Sequence, residues 1–176
     1  MHLQERLKAV IRDVPDFPKP GILFKDITPV LKDMELSKEV VNEFYRSFSG
    51  KKIDGIIGVE SRGFLFGMML AQKFNVPFIP VRKHGKLPFK TIAYKYDLEY
   101  GSSIVELHVD AFVPGSNILI HDDLLATGGT AAAAAELVKM LKGNIAGFAF
   151  LVGLDFLKGK EVLKKHSDKI VTLIDY

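Results

Sequence analysis

Apolar residues along this chain fall into short blocks, and the spacing within each block predicts the element it forms. Leu3, Leu7, Val10 and Ile11 share one face at helical spacing, so the chain opens on an amphipathic helix that packs against the body. Val40, Val41, Phe44 and Phe48 repeat that pattern, with Ser37 as the expected N-cap. A third helix follows from Phe64, Leu65, Met68 and Met69, and a fourth from five alanines leading into Glu136 to Leu141. Between and after them lie branched, largely uninterrupted apolar runs at 53–59, 78–81, 104–109, 118–120, 146–152 and 170–174. Such runs read as buried strands, because a parallel strand is covered on both faces. Strands alternating with helices predict an α/β domain over 1–176: a mostly parallel, twisted sheet flanked by helices on both sides.

Two stretches break the pattern. Residues 13–21 carry three prolines and a glycine, which predicts an irregular, stiff surface segment. It leads into Ile22 to Pro29, where Phe24 is either a stacking face in a lid or one buried residue of an edge strand. Residues 84–95 lack apolar periodicity and hold His84, Gly85, Lys86, Pro88 and Lys90, which predicts a long mobile loop. Its lysines either close over an anion or are simply solvated.

Composition narrows the classes. At 176 residues the chain suits one domain with a sizeable core. Cysteine is absent, which excludes disulfides, thiolate catalysis and cysteine-bound metals. No run of about 18 apolar residues is present to span a bilayer, and no signal-type segment precedes the first helix, so a cytoplasmic protein is expected. A net charge of +3 is spread along the chain rather than gathered in a basic tail, favouring small phosphorylated ligands over nucleic acid.

The chemistry concentrates in residues 118–130. Ile118-Leu119-Ile120 reads as a strand ending abruptly before Asp122 and Asp123, with Ala126-Thr127-Gly128-Gly129-Thr130 turning into the alanine helix. A turn of small residues at a helix start offers free N–H groups and the positive end of the dipole to a phosphate. The carboxylates would be repelled by that phosphate, so they suit hydroxyl donors displaced from it. Together these features describe a ribose 5-phosphate site. No lysine follows the glycines as a P-loop needs, and GxGxxG is missing. His121 reads as a core or supporting residue rather than a catalytic one. Glu60-Ser61-Arg62-Gly63, at the end of the 53–59 strand, is either a diphosphate clamp or a Glu60–Arg62 ion pair. Arg82 and Lys83 close the next strand with positive charge.

Asp122-Asp123-Leu124-Leu125-Ala126-Thr127-Gly128-Gly129-Thr130 resembles the phosphoribosyl pyrophosphate signature of type I phosphoribosyltransferases, in the form of the family's adenine-specific members. The likeness extends over nearly the whole chain. It implies a purine salvage reaction in which adenine and phosphoribosyl pyrophosphate give AMP and pyrophosphate, with Mg²⁺ held mainly by substrate and water rather than by an assigned side chain. Residues 13–31 resemble the family's hood over the base, so Leu23, Phe24 and Lys25 become adenine-binding candidates, Leu23 and Lys25 through their main chain. Lys25 stands where arginine is common. Glu60, Ser61, Arg62 and Gly63 resemble the pyrophosphate loop, joined by Arg82, Lys83 and Lys86. Ala126 to Thr130 take the 5-phosphate. Residues 82–100 resemble the mobile catalytic loop, making Glu99 and Tyr100 catalytic candidates beside Asp122 and Asp123, with Glu99 as acid-base group. Gly153-Leu154-Asp155 departs from the family's acidic-bearing pattern. The resemblance also implies a homodimer. The same reaction on hypoxanthine, guanine or xanthine is one alternative, and a regulator sensing phosphoribosyl pyrophosphate is another, although too little chain precedes the hood for a helix-turn-helix module.

Overall fold

The computed structural model describes residues 2–97 and 101–176, so Glu99 and Tyr100 lie outside the described residues. Strands β3 (Gly55–Val59), β4 (Phe78–Lys83), β5 (Thr91–Asp97), β6 (Ser102–His108), β7 (Asn117–Leu125), β8 (Asn144–Gly153) and β9 (Ile170–Asp175) form a seven-stranded sheet in the order β5-β6-β4-β3-β7-β8-β9. The β3–β4, β3–β7, β7–β8 and β8–β9 pairs are parallel, and β5–β6 with β6–β4 form an antiparallel edge. The mixed sheet matches the mostly parallel expectation.

Two cores cover its faces. Helices α1 (Leu3–Val10), α3 (Met34–Ser47) and α4 (Gly63–Phe74) bury Leu7, Phe44, Phe66 and Leu70 against Ile56 and Leu119. On the other face α5 (Gly129–Met140) lays Ala131, Ala133, Ala134, Leu137 and Val138 on Ile57, Ile118, Ile120 and Phe148. Alanine there lets the helix backbone approach the strands closely. A separate two-stranded ribbon, β1 (Arg12–Pro15) with β2 (Leu23–Asp26), precedes the short helix α2 (Thr28–Lys32) within the segment expected to act as a hood. A 3₁₀ turn (Asp155–Leu157) and α6 (Gly159–Leu163) link β8 to β9. No helix among the described residues is long and apolar enough to cross a membrane.

Several expectations need correction. Ser37 is not the cap of α3: Asp33 accepts the Leu36 amide at 2.9 Å, while the buried Ser37 hydroxyl donates to the Val30 carbonyl at 2.9 Å. Residues 13–21 are not wholly irregular, because Asp13 to Pro15 pair with β2. The expected loop at 84–95 stops at 90, and Thr91–Asp97 is a strand whose Ile92, Tyr94 and Tyr96 are half-buried while Ala93, Lys95 and Asp97 face outward. That is a period of two carried partly by tyrosine, whose polar tip hides an apolar body. By contrast, β4 does end in Arg82 and Lys83, as expected. β7 does not end before the acids; it runs through Asp122 and Asp123 to Leu125, paired with β8 to its last residue.

Candidate active site

Glu60, Ser61, Arg62, Lys83, Asp122, Asp123 and Leu124 line a cavity of about 300 Å³ at the carboxyl edge of the parallel strands. Open α/β sheets bind ligands at this edge. The chain reaches it three times, through the turn after β3, the end of β4 and the end of β7. Gly63 is required where α4 begins, because a Cβ there would lie 2.9 Å from the His121 carbonyl and 3.0 Å from Asp122 Oδ1.

Glu60 does not pair with Arg62. Its carboxylate accepts the Lys83 amide at 2.9 Å and the Arg82 Nε at 3.2 Å, and Arg82 also donates to the Lys86 carbonyl at 3.1 Å. Burial alone would raise the Glu60 carboxyl, but these donors outweigh it and hold it below the usual range. Arg82 is thereby committed to a strut under the loop, while Lys83 and Lys86 keep exposed side chains.

Arg62 is free of Glu60 and reaches the opposite way. Its Nε lies 2.9 Å from Asp123 Oδ2, without the alignment of a hydrogen bond. Its guanidinium sits 4.5 Å from the centre of the Phe24 ring, and Nη1 donates to the Lys25 carbonyl at 3.3 Å. One arginine therefore spans the hood and the acidic pair. Phe24 also meets Phe17 edge-on at 5.0 Å, and Leu23 is half exposed on the ribbon.

The acidic pair is electrostatically loaded. Burial, and then the charge of Asp123, push the Asp122 carboxyl well above its ordinary value. Burial also raises Asp123, against the pull of the Arg62 cation. Asp122 Oδ1 accepts the Asp123 amide at 2.9 Å. Next to them His121 is wholly buried, with both ring nitrogens lacking a hydrogen-bond partner among the described residues and its ring edge-on to Phe44. Burial lowers its pKa to about 4, so it is a neutral core residue, as the sequence indicated.

Beyond β7 the chain turns through Ala126 and Thr127 into Gly128, whose φ of +83° is left-handed, and Gly129 opens α5. No side chain caps that helix start, so its amides face outward and suit an anion. A Cβ on Gly128 would lie 2.8 Å from the Gly159 carbonyl, so the α6 segment braces the turn. The Thr130 hydroxyl meets the Tyr96 hydroxyl at 3.0 Å. Tyr96, Leu124 and Phe17, within the expected loop, signature and hood segments, join the site beyond the residues singled out for it; alternation with Tyr94 is the signal available for Tyr96.

The phosphoribosyl transferase domain model matches residues 31–175. The adenine phosphoribosyltransferase of Cytophaga hutchinsonii is 48% identical over 174 residues, 99% of this chain and 96% of that protein. The crystal structure of the Thermoanaerobacter pseudethanolicus adenine phosphoribosyltransferase superposes with a TM-score of 0.95 at 47% identity, over 99% of this chain and 100% of that one. The Saccharomyces cerevisiae enzyme, solved with adenine and an imino-altritol bisphosphate, gives a TM-score of 0.90 at 43% identity and 98% coverage of this chain and of its own. The chain therefore belongs to the phosphoribosyltransferase family, among the adenine phosphoribosyltransferases.

Proposed function

We propose that the chain transfers the 5-phosphoribosyl group from phosphoribosyl pyrophosphate to adenine, giving AMP and pyrophosphate. The observation that carries this is the reach of Arg62, which touches the hood ring, a hood carbonyl and the acidic pair at once. A base under the hood and a ribose on Asp122 and Asp123 are thus within one side chain's span of each other.

In this reading the amides of the Gly128–Thr130 turn and the hydroxyls of Thr127 and Thr130 hold the 5-phosphate. Asp122 and Asp123 accept from the ribose hydroxyls and set negative charge near the anomeric carbon. As the carbon–oxygen bond to pyrophosphate breaks, positive charge develops there, a pattern shared with glycoside hydrolysis. A purine ring nitrogen forms the new bond from the other side, and a second ring nitrogen gives up its proton, for which Glu99 is the acceptor. Arg62, Lys83 and Lys86 take up the charge of the leaving group. Fixed geometry and pre-placed charge supply much of the acceleration.

Magnesium fits as a cation brought in by the donor. Among the described residues no three metal-ligating side chains converge, while the pyrophosphate and water supply the oxygens that Mg²⁺ prefers. When bound, it neutralises pyrophosphate charge. We further place the enzyme in the cytoplasm, where phosphoribosyl pyrophosphate, a polyanion that does not cross bilayers, is retained, and as a homodimer, since Leu65 and Met68 leave an apolar outer face on α4.

Incubation with phosphoribosyl pyrophosphate, Mg²⁺ and each purine base in turn, with nucleotides separated by chromatography, tests the reading. Conversion of adenine, lost in Asp122→Asn/Asp123→Asn, is expected. Conversion of hypoxanthine or guanine in place of adenine, or of no base, would overturn it. Glu99→Gln retaining near-normal turnover would remove Glu99 from its role.

A further inference from the structure

The hood is a two-stranded ribbon, and such ribbons are marginal unless something holds them. The one buried residue of β2 is a lysine: Lys25 is 5% exposed, in a position where an aliphatic residue would ordinarily sit. Its ammonium lies 2.6 Å from Asp13 Oδ1, the residue facing it across the ribbon, and 3.6 Å from the centre of the Tyr176 ring. Tyr176 follows β9 and is itself tied to the main sheet, its amide donating to the Gly153 carbonyl at 2.9 Å and its carbonyl accepting from the Asp155 amide at 3.1 Å. Both strands of the ribbon are thus fastened, through one cation, to a ring fixed on the body.

Of the two contacts, the ring matters more. The Asp13 side chain is half exposed, and ion pairs open to water contribute little. The ammonium above the ring is shielded and sits well inside the range of a cation–π contact. An apolar residue would pack here too, but it would let the ribbon slide; a charge centred on a ring and gripped by a carboxylate fixes one position.

On its other side the same residue carries the carbonyl that Arg62 engages, beside the ring of Phe24. Lys25 therefore bears an anchor on its side chain and a reader on its main chain. We propose that Asp13, Lys25 and Tyr176 form a clamp that positions the hood's base-reading backbone, making them positioning residues for adenine recognition. The proposal rests on the reading that the hood binds the base. It also gives Lys25 a role unrelated to direct base contact, since its side chain faces Asp13 and Tyr176.

The test is steady-state kinetics with each substrate varied in turn, on the full chain with Mg²⁺. Lys25→Met and Tyr176→Leu are expected to raise KM for adenine about tenfold while leaving KM for phosphoribosyl pyrophosphate within about twofold. Tyr176→Phe, which keeps the ring under the cation, is expected to behave like the unaltered protein. Where Lys25→Met does not fold, Asp13→Asn loosens the grip with the cation still over the ring, and a smaller rise confined to adenine KM is expected. If the variants melt earlier but leave adenine KM unchanged, or raise both KM values alike, the clamp is only a structural tie and the proposal fails. If the unaltered protein forms no AMP, the adenine reading itself falls and takes the clamp's role with it.

Discussion

Two adjacent glycines in the turn before α5 should respond oppositely to the same substitution. Gly128 sits at φ +83°, and a Cβ there would meet the Gly159 carbonyl oxygen at 2.8 Å and its Cα at 3.3 Å. Both neighbours are backbone, so no side-chain rotation relieves the contact. The left-handed conformation costs a non-glycine residue about 1–2 kcal/mol, and overpacking adds a similar amount, giving about 3 kcal/mol for Gly128→Ala. For a chain of this size that corresponds to a fall in Tm of roughly 6–12 °C. Gly129 has no such φ, and its added Cβ would meet the Tyr96 ring at 3.6 Å, an ordinary contact. As the first residue of α5 it gains helix propensity on becoming alanine, at most about 1 kcal/mol, so Gly129→Ala should melt within about 3 °C of the parent. Calorimetry of the unliganded proteins measures both. Because the clash displaces the cradle, Gly128→Ala should also raise KM for phosphoribosyl pyrophosphate. Equal melting of the two variants, or a Gly128→Ala protein within about 2 °C of the parent, would refute the packing of α6 onto the turn.

Three further outcomes follow from the site's electrostatics. A carboxyl whose folded pKa is raised adds stability that is complete below its unfolded value and is lost as pH rises through the folded value, so the Asp122–Asp123 pair opposes folding at neutral pH. Asp122→Asn should therefore abolish turnover yet raise Tm at pH 7 by about 3 °C, and a lower Tm would contradict the assignment. Arg62→Ala removes the contact joining Asp123 to the hood and should cut kcat/KM for phosphoribosyl pyrophosphate roughly 100-fold, whereas a change confined to adenine KM would count against its diphosphate role. His121 works in the reverse sense to the acids: a folded pKa lowered to about 4 adds stability present above pH 6.5 and lost as pH falls toward 4, worth up to about 3 kcal/mol. His121→Leu should flatten that part of the denaturation profile relative to the parent, and identical slopes would show that the ring is hydrated.

What the sequence made legible follows from the range of the forces involved. Helix and strand positions were readable because burial imposes periods of 3.6 and 2 on neighbouring residues, and α1, α3, α4 and α5 fall where those periods put them. The turn before α5 was readable for a similar reason, since a glycine in a left-handed conformation and an uncapped helix start are local features. Where local chemistry was ambiguous, the reading slipped. Tyrosine hid the alternation of β5, and paired carboxylates looked like a strand's end although the β7–β8 ladder, a tertiary feature, carries the strand past them.

Side-chain partners were the least legible, because a cation's choice among distant carboxylates is made by the fold. Glu60 and Arg62 are two residues apart and look like a pair, yet Glu60 turns to Arg82 and Lys83 on β4 while Arg62 turns to Asp123 on β7. Strand geometry explains the separation, since Glu60 continues β3 alongside β4, its amide donating to the Val81 carbonyl, whereas Arg62 already stands at the N-cap of α4. The split has a functional consequence. With Arg82 committed to Glu60, the cation that reaches both the ribbon and the acidic pair among the described residues is Arg62, and in the proposed reaction a diphosphate would compete with Asp123 for it. In the proposed reaction, drawing Arg62 away from Phe24 and the Lys25 carbonyl would uncover the ring and the acceptor for a purine, so the displacement that admits the donor would also prepare the base site.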